Sequence, residues 1–297
     1  MKWLSRLWSG RKPSPAATKP PPDSTTSRAP ATAPVPDGPA VLPWLLGCAA
    51  LTDTPISEPE KAALAELDKM LALPTMADNL LPRAASLIPQ LIALLRQTDL
   101  PTAEIAARVG KDAVLTAEVM RLASSSFHSG QGAVVDLQQA VTRIGLRGLQ
   151  TVMARVLLKP IYQGSQGPWS ARAAPRLWEH SDGLARHASM LAGQAGQPAF
   201  DGYLAGMLHD TGWIVALNLI DRSGLAIAVP PSQAFASALE DRVHRLFGHA
   251  ARRWDITASF TAFAQDAREH GPTGGRHPLS ALMPQAHRDC MRELAGA

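Results

Sequence analysis

Apolar side chains recur along most of this chain every three or four residues, the spacing that gathers them on one face of an α-helix, and very few segments alternate apolar and polar as strands do. The pattern predicts an all-α protein. Ser57-Glu58-Pro59-Glu60 has the form of a capping box, in which a Ser hydroxyl and a Glu carboxylate satisfy free backbone N–H groups, and it opens a helix expected to reach about residue 71. A second helix is expected over 85–97, with Leu87, Ile88, Leu91, Leu94 and Leu95 on its buried side. After punctuation at 99–102, a short helix over 103–109 ends at Gly110, and 113–125 follows through Val114, Leu115, Val119, Met120 and Leu122. Asp136 with Gln139 caps a helix carrying Leu137, Val141 and Ile144 that stops at Gly145, and an apolar stripe continues over 146–158.

Residues 160–175 turn to Pro, Gly, Ser and Gln and predict a long loop between two helical lobes. Further helices are expected over 177–193, 200–209 (with Gly212 as its stop), 235–254 and 259–270, and no fixed-period repeat suggests a solenoid. Residues 12–39 are mostly Pro, Ala, Ser and Thr, so they cannot bury enough apolar surface to offset the entropy of ordering. They read as a disordered linker. Ahead of them, Trp3, Leu4, Leu7 and Trp8 fall at helical spacing with Lys2, Ser5, Arg6 and Ser9 opposite, a short basic amphipathic segment that could meet a membrane surface or a partner groove.

The chain has 297 residues, 46% of them hydrophobic, enough for one large core or two modest ones. Its net charge of +4 is supplied by the first 40 residues, where Lys2, Arg6, Arg11, Lys12, Lys19 and Arg28 stand against Asp23 and Asp37. The remainder is neutral, which makes nucleic acid a poor candidate partner; Arg242, Arg245, Arg252 and Arg253 read as a solvated helix face. Cys48 and Cys290 alone can build neither a disulfide framework nor a cysteine zinc site. With no apolar run long enough to span a bilayer and no signal-peptide core at the start, the expected setting is cytoplasmic, peripheral to a membrane if the Trp3 to Trp8 segment docks there.

Chemistry, if there is any, rests on the second half of the chain: His180, the adjacent His209-Asp210 pair, His249, His270 and Asp289. Imidazole mixed with carboxylate suits a divalent ion such as Fe, Mn or Zn. Neighbours on a helix point about 100° apart, so His209 and Asp210 could share an ion only in a cleft between their directions. The same pair could equally be a buried hydrogen-bond anchor with no metal.

Several segments resemble one family. Leu73-Pro74 and the run from Lys111 through Glu118 to Ser125 resemble the first lobe of HDOD domains, and the segment from Asp136 to Gly145 is similar to that family's helix before a glycine turn. Leu177-Trp178-Glu179-His180-Ser181 and Ala205-Gly206-Met207-Leu208-His209-Asp210-Thr211-Gly212 are similar to the two signatures of its second lobe. Gly248-His249-Ala250-Ala251 through Trp254, then Glu269-His270, match later segments more loosely. Composition sets off a tail over 1–40, followed by a linker and lead-in helix over 41–72, and the resemblance implies an HDOD domain over 73–290 with a first lobe at 73–160 and an HD-like lobe at 175–290. It also implies kinship with HD phosphohydrolases, whose metal is held by a first His, an adjacent His-Asp pair and a later Asp. His180, His209, Asp210 and Asp289 match those positions, and His249 and His270 resemble ligands of the related HD-GYP cyclic dinucleotide phosphodiesterases. Glu269 departs from the HD-GYP pattern where a second adjacent His is expected, the segment after His270 lacks Gly-Tyr-Pro, and Ser124 replaces an Asn common in HDOD domains.

HDOD domains act in signalling without complete catalytic sites, so the expectation is a non-catalytic regulatory module with a protein partner and no cofactor. The alternatives are a metal-dependent HD-type phosphohydrolase and a pseudoenzyme that senses a nucleotide. Trp178, Trp213 and Trp254 are expected in the core. His187 is expected as a polar surface or satisfied core residue, and His128, His244, His277 and His287 have no evident partner.

Overall fold

The computed structural model describes residues 41–73, 81, 87–89, 92, 102–124, 134, 136–163, 167–251 and 254–296. The tail over 1–40 with its Trp3, Leu4, Leu7 and Trp8 segment, most of the helix expected over 85–97, and Arg252 and Arg253 lie outside them. Eleven helices are formed among the described residues: α1 (Val41–Leu46), α2 (Glu58–Ala72), α3 (Thr102–Val109), α4 (Ala113–Ala123), α5 (Leu137–Tyr162), α6 (Pro168–Gln194), α7 (Ala199–His209), α8 (Thr211–Ser223), α9 (Gln233–Ala251), α10 (Ala258–Gly274) and α11 (Pro278–Leu294). The only extended pairing among these residues is an isolated bridge between Thr52 and Ser232. No helix of the described residues is long and apolar enough to cross a membrane.

Local signals place several of these boundaries. Glu60 Oε2 accepts from Ser57 N at 2.7 Å and Ser57 Oγ at 2.9 Å, the Asp112 carboxylate accepts from Leu115 N at 2.8 Å, and Asp136 accepts from Gln139 N at 2.7 Å. Gly145 takes a left-handed φ of 63° and breaks α5 into two helical halves.

Helices α3, α4 and α5 pack together as a first lobe, and α6 to α11 form a second. Helices α1 and α2 precede the first lobe in sequence yet pack on the second: α1 on α6, α2 on α9 and α8. The stretch expected to be a linker and lead-in is therefore part of the packed body. Leu42, Leu45, Leu46 and Leu67 are fully buried, and the Glu60 carboxylate also accepts from Ser232 N at 2.8 Å and Ser232 Oγ at 3.1 Å at the start of α9. Arg155 of α5 joins the lobes, donating to Asp182 of α6 at 2.6 Å and Glu118 of α4 at 2.5 Å while its guanidinium lies 5.3 Å from the centre of the Trp178 ring. Trp178 is accordingly half-buried rather than in the core, unlike Trp213 and Trp254, which are buried as expected.

The loop expected over 160–175 is much shorter. Helix α5 runs through Pro160 to Tyr162 and α6 starts at Pro168, where proline's missing N–H costs nothing. The next two N–H groups of α6, Trp169 and Ser170, donate to the Asp221 carboxylate of α8 at 2.9 Å each. A second difference concerns Gly212, expected as a helix stop. Helix α7 ends at His209, Asp210 forms the bend, and α8 starts at Thr211 with Gly212 in its first turn.

Candidate functional site

The site is assembled where α6, α7, α9 and α11 meet, and two glycines set its spacing. A Cβ on Gly206 would stand 2.6 Å from the Ala185 backbone of α6, and one on Gly212 would stand 2.1 Å from the Val243 carbonyl of α9. Helix α7 thus lies hard against α6, and the start of α8 against α9, which brings the His209-Asp210 bend between His180 and His244. The Tyr162 hydroxyl donates to the Met207 carbonyl and anchors the end of α7 to the first lobe.

At the centre is Asp210, fully buried. Its Oδ2 pairs with His180 Nδ1 at 2.5 Å and accepts from Ser181 Oγ at 2.7 Å, and its Oδ1 lies 3.5 Å from His209 Nδ1. The outer face of each imidazole meets another imidazole. His180 Nε2 is 3.0 Å from His287 Nδ1 on α11, and His209 Nε2 is 2.8 Å from His244 Nδ1 on α9. The Trp44 ring of α1 is tilted against that of His180 at 6.2 Å, while Phe247 flanks His209 at 5.5 Å.

Burial pushes Asp210 up, but the His180 and His209 imidazoles outweigh it and hold the carboxyl well below the usual carboxylate range. Burial, reinforced by the neighbouring His209 and His180 rings respectively, lowers His244 to about 3 and His287 to about 4, so both are neutral at pH 7. The Cys290 thiol, whose Sγ reaches the His180 carbonyl at 3.5 Å, is pushed up to about 12 by burial and then by Asp210. It is no nucleophile at neutral pH.

Of the six residues expected to hold a metal, His180, His209 and Asp210 come together. His270 instead pairs through Nδ1 with Asp266 Oδ1 at 3.0 Å. Asp266 also accepts from Ser280 Oγ at 2.5 Å and from the Arg276 and His277 N–H groups, so it is committed to the α10–α11 turn. Asp289 accepts from the Gln285 side-chain amide at 2.8 Å and lies 3.3 Å from Arg292. His249 is half-buried near the end of α9. Among the described residues, no three His, Cys, Asp or Glu side chains are arranged to hold a metal ion. The donor atoms present therefore do not fit the ion that the resemblance implies: His180 has both ring nitrogens engaged and His209 has its Nε2 engaged, which leaves only His209 Nδ1 and Asp210 Oδ1 of the three motif residues.

The sequence profile of the HDOD domain matches residues 81–266. The chain belongs to the HDOD family. An HDOD domain protein of unknown function from Geobacter sulfurreducens is similar over 79% of this chain and 80% of its own, with 22% identity and a TM-score of 0.51. A candidate metal-dependent phosphohydrolase from Shewanella amazonensis SB2B is similar over 81% of this chain and 84% of its own, with 19% identity and a TM-score of 0.56. At these identities the likeness is one of fold. An uncharacterized protein from Treponema pallidum (strain Nichols) is 24% identical over 194 residues, and the chain spans 37% of its length.

The HDOD match contains His180, His209, Asp210 and His244 but stops before α11, so His287 lies outside it. His244 and His287 are the two site residues that motif reading passes over, and helical periodicity could have found both. Leu279, Met283, Ala286 and Cys290 make the buried stripe of α11, and His287 lies beside it, four residues after Met283 and three before Cys290. His244 likewise stands three residues before buried Phe247. His187, as expected, is a satisfied polar residue, its Nε2 2.8 Å from Glu293.

Proposed function

We propose that this HDOD protein is a non-catalytic signal-transduction module that acts through contacts with a protein partner. The observation that carries the reading is the burial of the would-be reacting centre. His180 is 1% exposed and Asp210 0%, with Trp44 of α1 beside His180, so of the three motif residues only His209 keeps a partly exposed side chain that a phosphate oxygen could approach. A phosphodiester hydrolase needs the reverse, an open position beside its ligands for substrate and attacking water. The second lobe then serves as a body against which the first lobe presents its helices, and a partner acts by favouring one arrangement of the two. The Arg155 junction is where such a bias would be felt. The basic segment with Trp3, Leu4, Leu7 and Trp8 serves as a tether to the partner or to a membrane surface.

The test is hydrolysis of bis(p-nitrophenyl) phosphate and of a cyclic dinucleotide by the full chain with added Mn²⁺, Fe²⁺ or Zn²⁺. The expected result is no turnover above a protein-free control. Turnover that disappears in a His209→Ala, Asp210→Ala double variant would make the protein a metal-dependent phosphohydrolase. Cyclic dinucleotide binding by calorimetry without turnover would make it a nucleotide sensor.

A further inference from the structure

A hydrogen bond between two imidazoles uses one N–H and one lone pair, so neither facing nitrogen can also donate to an ion. Both histidines of the HD-type motif are engaged in this way, His180 by His287 at 3.0 Å and His209 by His244 at 2.8 Å. The second nitrogen of His180 is held by Asp210 at 2.5 Å. Within this cluster three buried atoms make no hydrogen bond, His209 Nδ1 and Asp210 Oδ1, which lie 3.5 Å apart, and His244 Nε2, and they do not complete a three-residue metal site. The capping imidazoles come from helices on either side of the motif, His287 from α11 and His244 from α9. The two contacts therefore tie α6 to α11 and α7 to α9, the cross-linking that a shared ion would otherwise supply.

We propose that His287 and His244 are built-in replacements for the metal of an HD-type site, capping its ligand nitrogens and closing the junction of α6, α7, α9 and α11 without an ion. Asp289, matched to the closing carboxylate by sequence, is turned to Gln285 and Arg292 and has no part in this. A carboxylate at position 287 in place of the imidazole would meet His180 Nε2 as an acceptor that can share an ion with it, and would reopen the site.

The experiment uses the full chain purified without an affinity tag, with elemental analysis, thermal melting with and without chelator, and titration with Co²⁺ followed by its visible absorption. The wild-type protein is expected to carry no stoichiometric metal, to melt at the same temperature with and without chelator, and to show no Co²⁺ bands. His287→Asp is expected to bind Co²⁺ about tenfold or more tighter than wild type and to melt higher when the ion is added. His287→Gln, which keeps a hydrogen-bonding group but offers no carboxylate, is expected to stay metal-free. If His287→Asp fails to fold, His244→Asp carries the same test from the other pair. Stoichiometric metal in the wild type that is lost in His287→Ala would overturn the proposal, as would a folded Asp variant that binds Co²⁺ no better than wild type. The outcome is separable from the functional reading: metal without turnover refutes only this proposal, and turnover by a metal-free protein refutes only the other.

Discussion

Gly206→Ala should destabilise the protein although alanine is the better helix former. Two opposed effects decide the sign. Inside a helix, Ala is favoured over Gly by about 1 kcal/mol. Against this, the new Cβ would meet Ala185 N, Ala185 Cα and the Leu184 carbonyl at 2.6 Å, all main-chain atoms that cannot rotate aside. Reaching an ordinary carbon contact of roughly 3.5 Å requires α6 and α7 to part by nearly 1 Å, an overpacking that costs about 1–3 kcal/mol. The same movement stretches the His180 and Ser181 contacts to Asp210, now 2.5 and 2.7 Å, at about 1 kcal/mol more. The net loss is about 1–3 kcal/mol, a fall in melting temperature of roughly 3–10 °C for a body of this size. Gly193, at the exposed end of α6, provides the control, because a Cβ there meets nothing closer than Ala199 Cβ at 3.8 Å. Only propensity acts on Gly193→Ala, which should gain up to about 1 kcal/mol. Guanidinium unfolding followed by far-UV circular dichroism measures both. Changes of the same sign in the two variants would refute the reasoning.

Three further outcomes follow from the packing. Arg155→Met removes the guanidinium shared by Glu118 and Asp182; the three side chains are 16%, 22% and 19% exposed, so a loss of about 1–3 kcal/mol is expected, below the full cost of breaking a buried pair. Faster limited proteolysis of the first lobe than of the second would accompany it, and uniform cleavage would exclude Arg155 as the joint between lobes. Acid should weaken the fold well before the Asp210 contribution is lost: His244 and His287 are depressed to about 3 and about 4, whereas an unfolded His titrates near 6.5, so the unfolded chain binds more protons below that pH. Each residue then costs roughly 2 kcal/mol at pH 5 relative to pH 7, while the contribution of Asp210, whose pKa is lowered, is lost only below about pH 4. An undiminished acid loss in a His244→Gln, His287→Gln double variant would count against this assignment. Leu45→Asp puts an unpaired charge at a fully buried position of α1 and should cost about 3 kcal/mol or more; a change under about 0.5 kcal/mol would mean that 41–72 is a linker after all.

What could be read from the sequence was what is decided locally. Ser57 with Glu60, Asp112 with Leu115 and Asp136 with Gln139 each cap a helix from three residues away, and Gly145 breaks one through its own backbone, so these features are legible in a short window. The start of α6 is not, because its cap is Asp221, more than fifty residues later, and a Pro- and Gly-rich stretch with a remote cap looks like a loop. Nor is the seating of α1, which buries Leu42, Leu45 and Leu46 and packs on α6, far later in the chain. The site shows the same division in its chemistry. The adjacent His209-Asp210 and the earlier His180 announce an HD-type centre, yet those residues can surround either an ion or a shared proton. What decides between the two is the group each ring nitrogen faces, supplied by α9 and α11. Reading chemistry first favoured the carboxylate of Asp289, whereas the helical repeat favours His287: two residues along a helix is about 200° of rotation, which turns Asp289 away from the side on which His287 meets His180. A His-Asp pair therefore identifies a fold more firmly than a metal, and the orientation of the later helices determines whether the ion can enter.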